Sequence, residues 1–234
     1  RGVAVRQMLD VSHTLSEYIN HTIKESKESI WIAQREGRAK DSNDKTQPSV
    51  LKMLNMAGDA DILTNLAELN IVPVAISYEY DPCDYLKAKE FQLKRDNPDY
   101  QKNQRDDLLS METGILANKG RVHFTLGNRI NDELKKLDPK MEKNELFAVI
   151  AGIIDREIYR HYRFYPCNYV AYDMLSGTRH FSANYGLKDK KAFEEYLQGQ
   201  LDKIVIPNKD EDFLRRKILE MYTNPLKNFL SLEK

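Results

Sequence analysis

Several features that would narrow the role of this 234-residue chain at once are scarce or missing. Lys and Arg equal Asp and Glu at 36 each, so no global field draws the chain to nucleic acid or to an anionic membrane. Any cationic site must be local. Only two cysteines occur, Cys83 and Cys167, too far apart for a zinc-ligand spacing and too few for a disulfide framework. They point to a reducing compartment and to inert thiols. No run reaches the roughly 18 to 20 apolar residues that a membrane-crossing helix needs, and no signal-peptide pattern is visible. A membrane contact, if there is one, is peripheral. There is no internal repeat, low-complexity tract or heptad run. What is present is a 41% hydrophobic composition, enough for a substantial core in one large domain or a domain with an appendage.

The patterning alternates between helix and strand. Residues 3–27 place Met8, Leu15, Ile19 and Ile23 on one helical stripe, an amphipathic helix. The apolar SIWIAQ (29–34) reads as a buried strand with Trp31 in the core. A charged loop follows over 35–47, closed by Pro48 in the first turn of a helix that carries Leu51 and Leu54. A further helix begins near Asp59. NIVPVAISYEYDP (70–82) is a second apolar strand, with Pro73 near its start or at an edge because proline lacks a ladder donor. Residues 84–119 read as helical with a polar break at 96–104. GRVHFTLGN (120–128) alternates as a strand with one wetter face, on which His123 lies. Helical patterns then cover 142–163, 166–176, 189–204 and 210–232. The expected fold is α/β, a mixed sheet flanked by helices over residues 1–132, with an α-helical extension over 133–234.

The chemistry concentrates where the first strand spills into REGRAK (35–40). Arg38 offers a planar fork for phosphate oxygens, Lys40 a compact charge, and Gly37 room for the backbone to turn, with a helix start some eight residues on. A phosphorylated ligand fits this pattern, and so does a charged loop that is simply solvated. Nucleic acid is disfavoured, since the basic cluster is short and only Trp31 adjoins it.

IWIAQREGRAK followed by IVPVAISYEY, and then GRVHFTLGNRI, resembles the glycerophospholipid acyltransferase superfamily, especially its glycerol-3-phosphate acyltransferase branch. The resemblance covers residues 1–132. It implies an acyltransferase-like fold lacking its N-terminal part, with Arg38 on the substrate phosphate, Gly37 beneath it, and Glu36 and Lys40 beside it. In the family one residue separates Gly from Arg, whereas Glu36, Gly37 and Arg38 are consecutive here. Pro73, Tyr78 and Glu79 match the segment that forms the acyl-chain or acceptor pocket, and Arg1 matches an upstream substrate-binding arginine. The implied reaction carries an acyl group from coenzyme A or acyl carrier protein to the hydroxyl of glycerol-3-phosphate or a lysophospholipid. It needs no metal and no cofactor beyond that co-substrate, and belongs at the cytoplasmic face of a membrane.

The family's base is a His followed by Asp after four intervening residues, the Asp steadying the imidazolium. Five residues after His13, His21, His123, His161 and His180 stand Tyr18, Ser26, Asn128, Pro166 and Tyr185. None is Asp. Two readings follow: a degenerate member that only binds phospholipid headgroups, or a chain whose dyad lies upstream of Arg1. The absence of an initiator Met favours the second, and then this portion alone is inactive. The aromatic run YRHYRFYPCNYVAYD (159–173) suits a helical stripe packed on the domain, or a membrane-interface contact.

Overall fold

The structure, a computed structural model, describes residues 5–35, 37 and 40–233. About 60% of it is helical, with one small antiparallel sheet. In chain order the elements are α1 (Val5–Lys24), α2 (Pro48–Asn55), α3 (Ile62–Glu68), β1 (Val74–Tyr78), α4 (Asp84–Asp96), α5 (Gln104–Leu116), β2 (Val122–Leu126), α6 (Asn131–Leu134), α7 (Lys143–Arg160), α8 (Pro166–Ser176), α9 (Leu187–Asp202) and α10 (Glu211–Leu230). No helix among the described residues is long and apolar enough to cross a membrane.

Local chemistry sets the boundaries. The polar break becomes the gap between α4 and α5, where the side chain of Asn103 caps α5 by accepting from the Asp106 amide at 2.8 Å. Pro166 opens α8 and Gly177, at φ +65°, closes it in the left-handed conformation that glycine adopts without strain. The Glu79 amide donates to the Arg121 carbonyl and the Gly127 amide to the Pro73 carbonyl, each at 2.8 Å. Residues whose numbers sum to 200 therefore face each other across an antiparallel pair.

Three expectations need correction. Residues 29–33 form no strand: among the described residues the sheet is β1 and β2 alone, and Trp31, expected in the core, is 67% exposed. Apolar composition makes a strand only where a neighbour completes its ladder. In α1, Ile19 is buried, but Met8 and Leu15 face solvent. The inward face there is polar because the C-terminal end of α2 needs partners: Ser16 Oγ donates to the Leu54 carbonyl (3.2 Å) and accepts from the Ala57 amide (3.0 Å). In β2, Val122, Phe124 and Leu126 are all exposed, so no described element covers the face expected to be dry.

The chain divides into two compact units. One comprises Arg1–Arg38, Lys45–Ala75 and Leu126–His161; the other comprises Ala39–Asp44, Ile76–Thr125 and Tyr162–Lys234. In the first unit α7 packs on α2, around Leu51, Leu54, Ile150 and Ile154. In the second, α10 packs on α8 and α4, around Phe193, Leu197, Leu214 and Ile218.

Candidate functional site

The loop singled out for its charge is pinned along its second half. The Gln47 amide donates to the Gln34 carbonyl at 2.9 Å, joining the two ends of the excursion. Thr46 donates from both its amide (2.8 Å) and its hydroxyl (2.6 Å) to Asp155 Oδ1 on α7. Burial pushes the Asp155 carboxyl above its ordinary pKa, against the pull of those two bonds. In the second unit Asn224 Nδ2 donates to the Asp41 carbonyl at 2.7 Å, and Asn228 Nδ2 to Asn43 Oδ1 at 3.2 Å.

Arg38, Glu36 and Arg1, three of the residues expected to bind substrate, lie outside the described residues. Gly37 is exposed at φ +73°, and among the described residues nothing lies within 4 Å of where a β-carbon would stand. The loop therefore presents open backbone at this point, in a conformation that L side chains rarely adopt. The Lys40 ammonium is paired with the Glu90 carboxylate of α4, which also holds Lys94 at 3.1 Å. Burial lowers the pKa of Lys40, with Glu90 opposing. Burial alone would raise that of Glu90, but the two lysines hold it below its ordinary value. Glu90 also lines a shallow cleft with Leu86, Lys89, Tyr100, Lys102, Asp106 and Ser110. Lys40 thus reaches the rim of a cleft carrying two further lysines, of which Lys102 is tied to Ser110 Oγ (2.8 Å) and Asp107 (3.0 Å).

The other expected segment behaves differently at its two ends. Pro73 is buried just before β1, its carbonyl engaged by Gly127, whereas Tyr78 is 43% exposed at the far end. Glu79 makes a two-pronged pair with Arg121, Nη2 to Oε1 at 2.9 Å and Nε to Oε2 at 3.0 Å, and accepts the Arg121 amide as well. Arg121 holds the Glu79 carboxyl below its usual range and lies over the Tyr165 ring at 4.7 Å. Gly120, at φ +62°, is packed against this pair, since a β-carbon there would stand 2.7 Å from Glu79 Oε2. Glu79 is thus occupied in fastening this end of the strand pair. Among the described residues, no hydrogen bond or ion pair joins Gly37, Lys40, Pro73 and Tyr78 to one another.

One cluster escaped the sequence reading. Asp84, the first residue of α4, is fully buried and accepts from Tyr196 and Tyr222 hydroxyls at 2.8 Å each, from Gln200 Nε2, and from the Tyr85 amide. Burial raises its pKa from the ordinary 3.8 to about 6, against the downward pull of the donors. The three side-chain partners lie more than 100 residues away along the chain, and the only local sign is a carboxylate opening a helix after Asp81-Pro82-Cys83. Cys167 is also buried, and desolvation pushes its thiol up to about 12, which fits an inert role. His161 Nδ1 lies 2.7 Å from the Glu157 carbonyl, at the end of α7. Among the described residues no group of three or more His, Cys, Asp or Glu side chains could hold a metal ion. Comparison with protein-family models, curated proteins and solved structures finds no match.

Proposed function

We propose that this chain is the acceptor-binding portion of a glycerophospholipid acyltransferase, holding the phosphate of glycerol-3-phosphate or a lysophospholipid. The observation that supports the reading is Gly37: an exposed, left-handed glycine with none of the described residues packed over it, inside the REGRAK segment that carries the resemblance. Arg38 supplies the fork for two phosphate oxygens, and fixing the phosphate holds the acceptor hydroxyl in place for reaction. That hydroxyl attacks the carbonyl of an acyl thioester carried by coenzyme A or acyl carrier protein. The new C–O bond forms, the C–S bond breaks, and the thiol departs with the proton that a base has removed from the hydroxyl. The histidine base in this scheme is not among these 234 residues, because no histidine here is followed by Asp at the fifth position. The same absence favours a second reading, a non-catalytic module that binds phospholipid headgroups through the same loop.

Titration calorimetry with glycerol-3-phosphate and with lysophosphatidate tests both. Saturable binding to the chain, weakened about tenfold or more in Arg38→Ala, is expected from the loss of a charge-assisted pair. Equal binding by Arg38→Ala and the unaltered chain would sink both readings. Thioester consumption by the native protein purified from its source, dependent on the acceptor and on Arg38, distinguishes transfer from headgroup binding.

A further inference from the structure

We infer that the outer edge of β2 is a self-pairing edge, on which a second copy of this chain docks its own β2 in antiparallel register. The argument begins with hydrogen-bond parity. Glu79 bonds to Arg121 and Pro73 to Gly127, so the odd-numbered residues of β2 turn their backbone groups toward β1. Val122, Phe124 and Leu126 therefore turn theirs away from it, and among the described residues nothing accepts from or donates to them. The same three residues carry exposed apolar side chains on one face, Phe124 at 60%.

An unpaired edge that is also apolar is what folded proteins ordinarily avoid, by placing lysine, proline or a covering loop there. β2 has none of these within Val122–Leu126. A two-stranded sheet is also marginal by itself and gains from extension.

The edge is complementary to itself. A two-fold axis through Phe124 sets Phe124 against its counterpart and Val122 against Leu126 of the other copy, all three as hydrogen-bonded pairs. Every unpaired amide and carbonyl of the edge then finds a partner at once. On the apolar face an aromatic pair is flanked by two aliphatic pairs, each of a kind that stabilises antiparallel strands. His123 falls opposite Thr125 on the other face, so no like charges meet within the strand. Five residues of strand alone bury too little for a stable dimer. The association is therefore expected to be weak and concentration-dependent.

The test is a concentration series by sedimentation or light scattering, combined with hydrogen exchange. The unaltered chain is expected to dimerise, with the amides of Val122, Phe124 and Leu126 gaining protection as dimer forms. Phe124→Lys sets two cations together on the axis and is expected to give a monomer with unchanged circular dichroism, while His123→Ala leaves the dimer intact. Phe124→Cys is expected to form a disulfide-linked dimer under mild oxidation, since directly paired residues place their α-carbons about 5.5 Å apart, within disulfide reach. A chain that stays monomeric with these three amides unprotected overturns the inference. So does a monomer in which they are already protected, which would mean that another strand covers the edge, and so does a dimer that survives Phe124→Lys.

Discussion

Asp84 shows how one buried carboxyl governs the pH response of its surroundings. Two tyrosine hydroxyls, a glutamine amide and a backbone amide converge on it, yet burial outweighs them and raises its pKa from 3.8 to about 6. The folded chain therefore binds a proton more readily than the unfolded chain between those values. By linkage, the stability Asp84 contributes is fully present below about pH 4 and is lost as pH rises through about 6. A difference of about two pKa units corresponds to roughly 3 kcal/mol, a sizeable share of a typical domain's stability. Urea unfolding at closely spaced pH values is expected to show this decline, and Asp84→Asn is expected to remove it, whatever that change does to absolute stability. An unaltered pH slope in Asp84→Asn would mean that the carboxyl is already ionised throughout the range. Glu79 works in the opposite sense, because Arg121 lowers its pKa and its contribution disappears on acidification.

At the scale of the element, residues 29–34 are the instructive case. The segment has strand composition, but among the described residues it joins no ladder, and Trp31 is exposed. As Trp31 is the chain's one tryptophan, folded-state fluorescence is expected to be red-shifted and readily quenched by acrylamide, and to change little on unfolding. Blue-shifted emission that acrylamide hardly quenches would restore the buried strand. The contrast with α8 shows what a sequence carries locally. Its bounds, 166 to 176, were legible to the residue because Pro166 and Gly177 act on their immediate neighbours. Pro73 before β1 and the polar gap between α4 and α5 were legible for the same reason. Pairing was not: which strand finds a ladder, which face of α1 turns inward, and that Lys40 meets Glu90 fifty residues away all depend on the folded arrangement. Of the expected site, the sequence disclosed the glycine-centred turn but not the lysine cleft beside Glu90 or the knot around Asp84.

For the whole molecule, the even charge balance constrains how a phospholipid enzyme could meet its substrate. Thirty-six cations face thirty-six anions overall, and within residues 35–45 four cations (Arg35, Arg38, Lys40, Lys45) meet three anions (Glu36, Asp41, Asp44). Polybasic segments gain about 1 kcal/mol per basic residue at an anionic bilayer, and a local excess of one charge gives little of that. The apolar route is better provided. On α1, Met8, Val11, Leu15 and Tyr18 recur at helical spacing and are all exposed, forming a stripe of the kind that lies in a membrane interface. If the acyltransferase reading holds, flotation with lipid vesicles is expected to bring similar fractions of the chain to neutral and to anionic vesicles, at low and at high salt. Met8→Glu combined with Val11→Glu should reduce binding to both. Selective binding to anionic vesicles that collapses as salt is added would instead locate the contact in the cationic loop, and would remove α1 from the account of how this chain reaches a lipid surface.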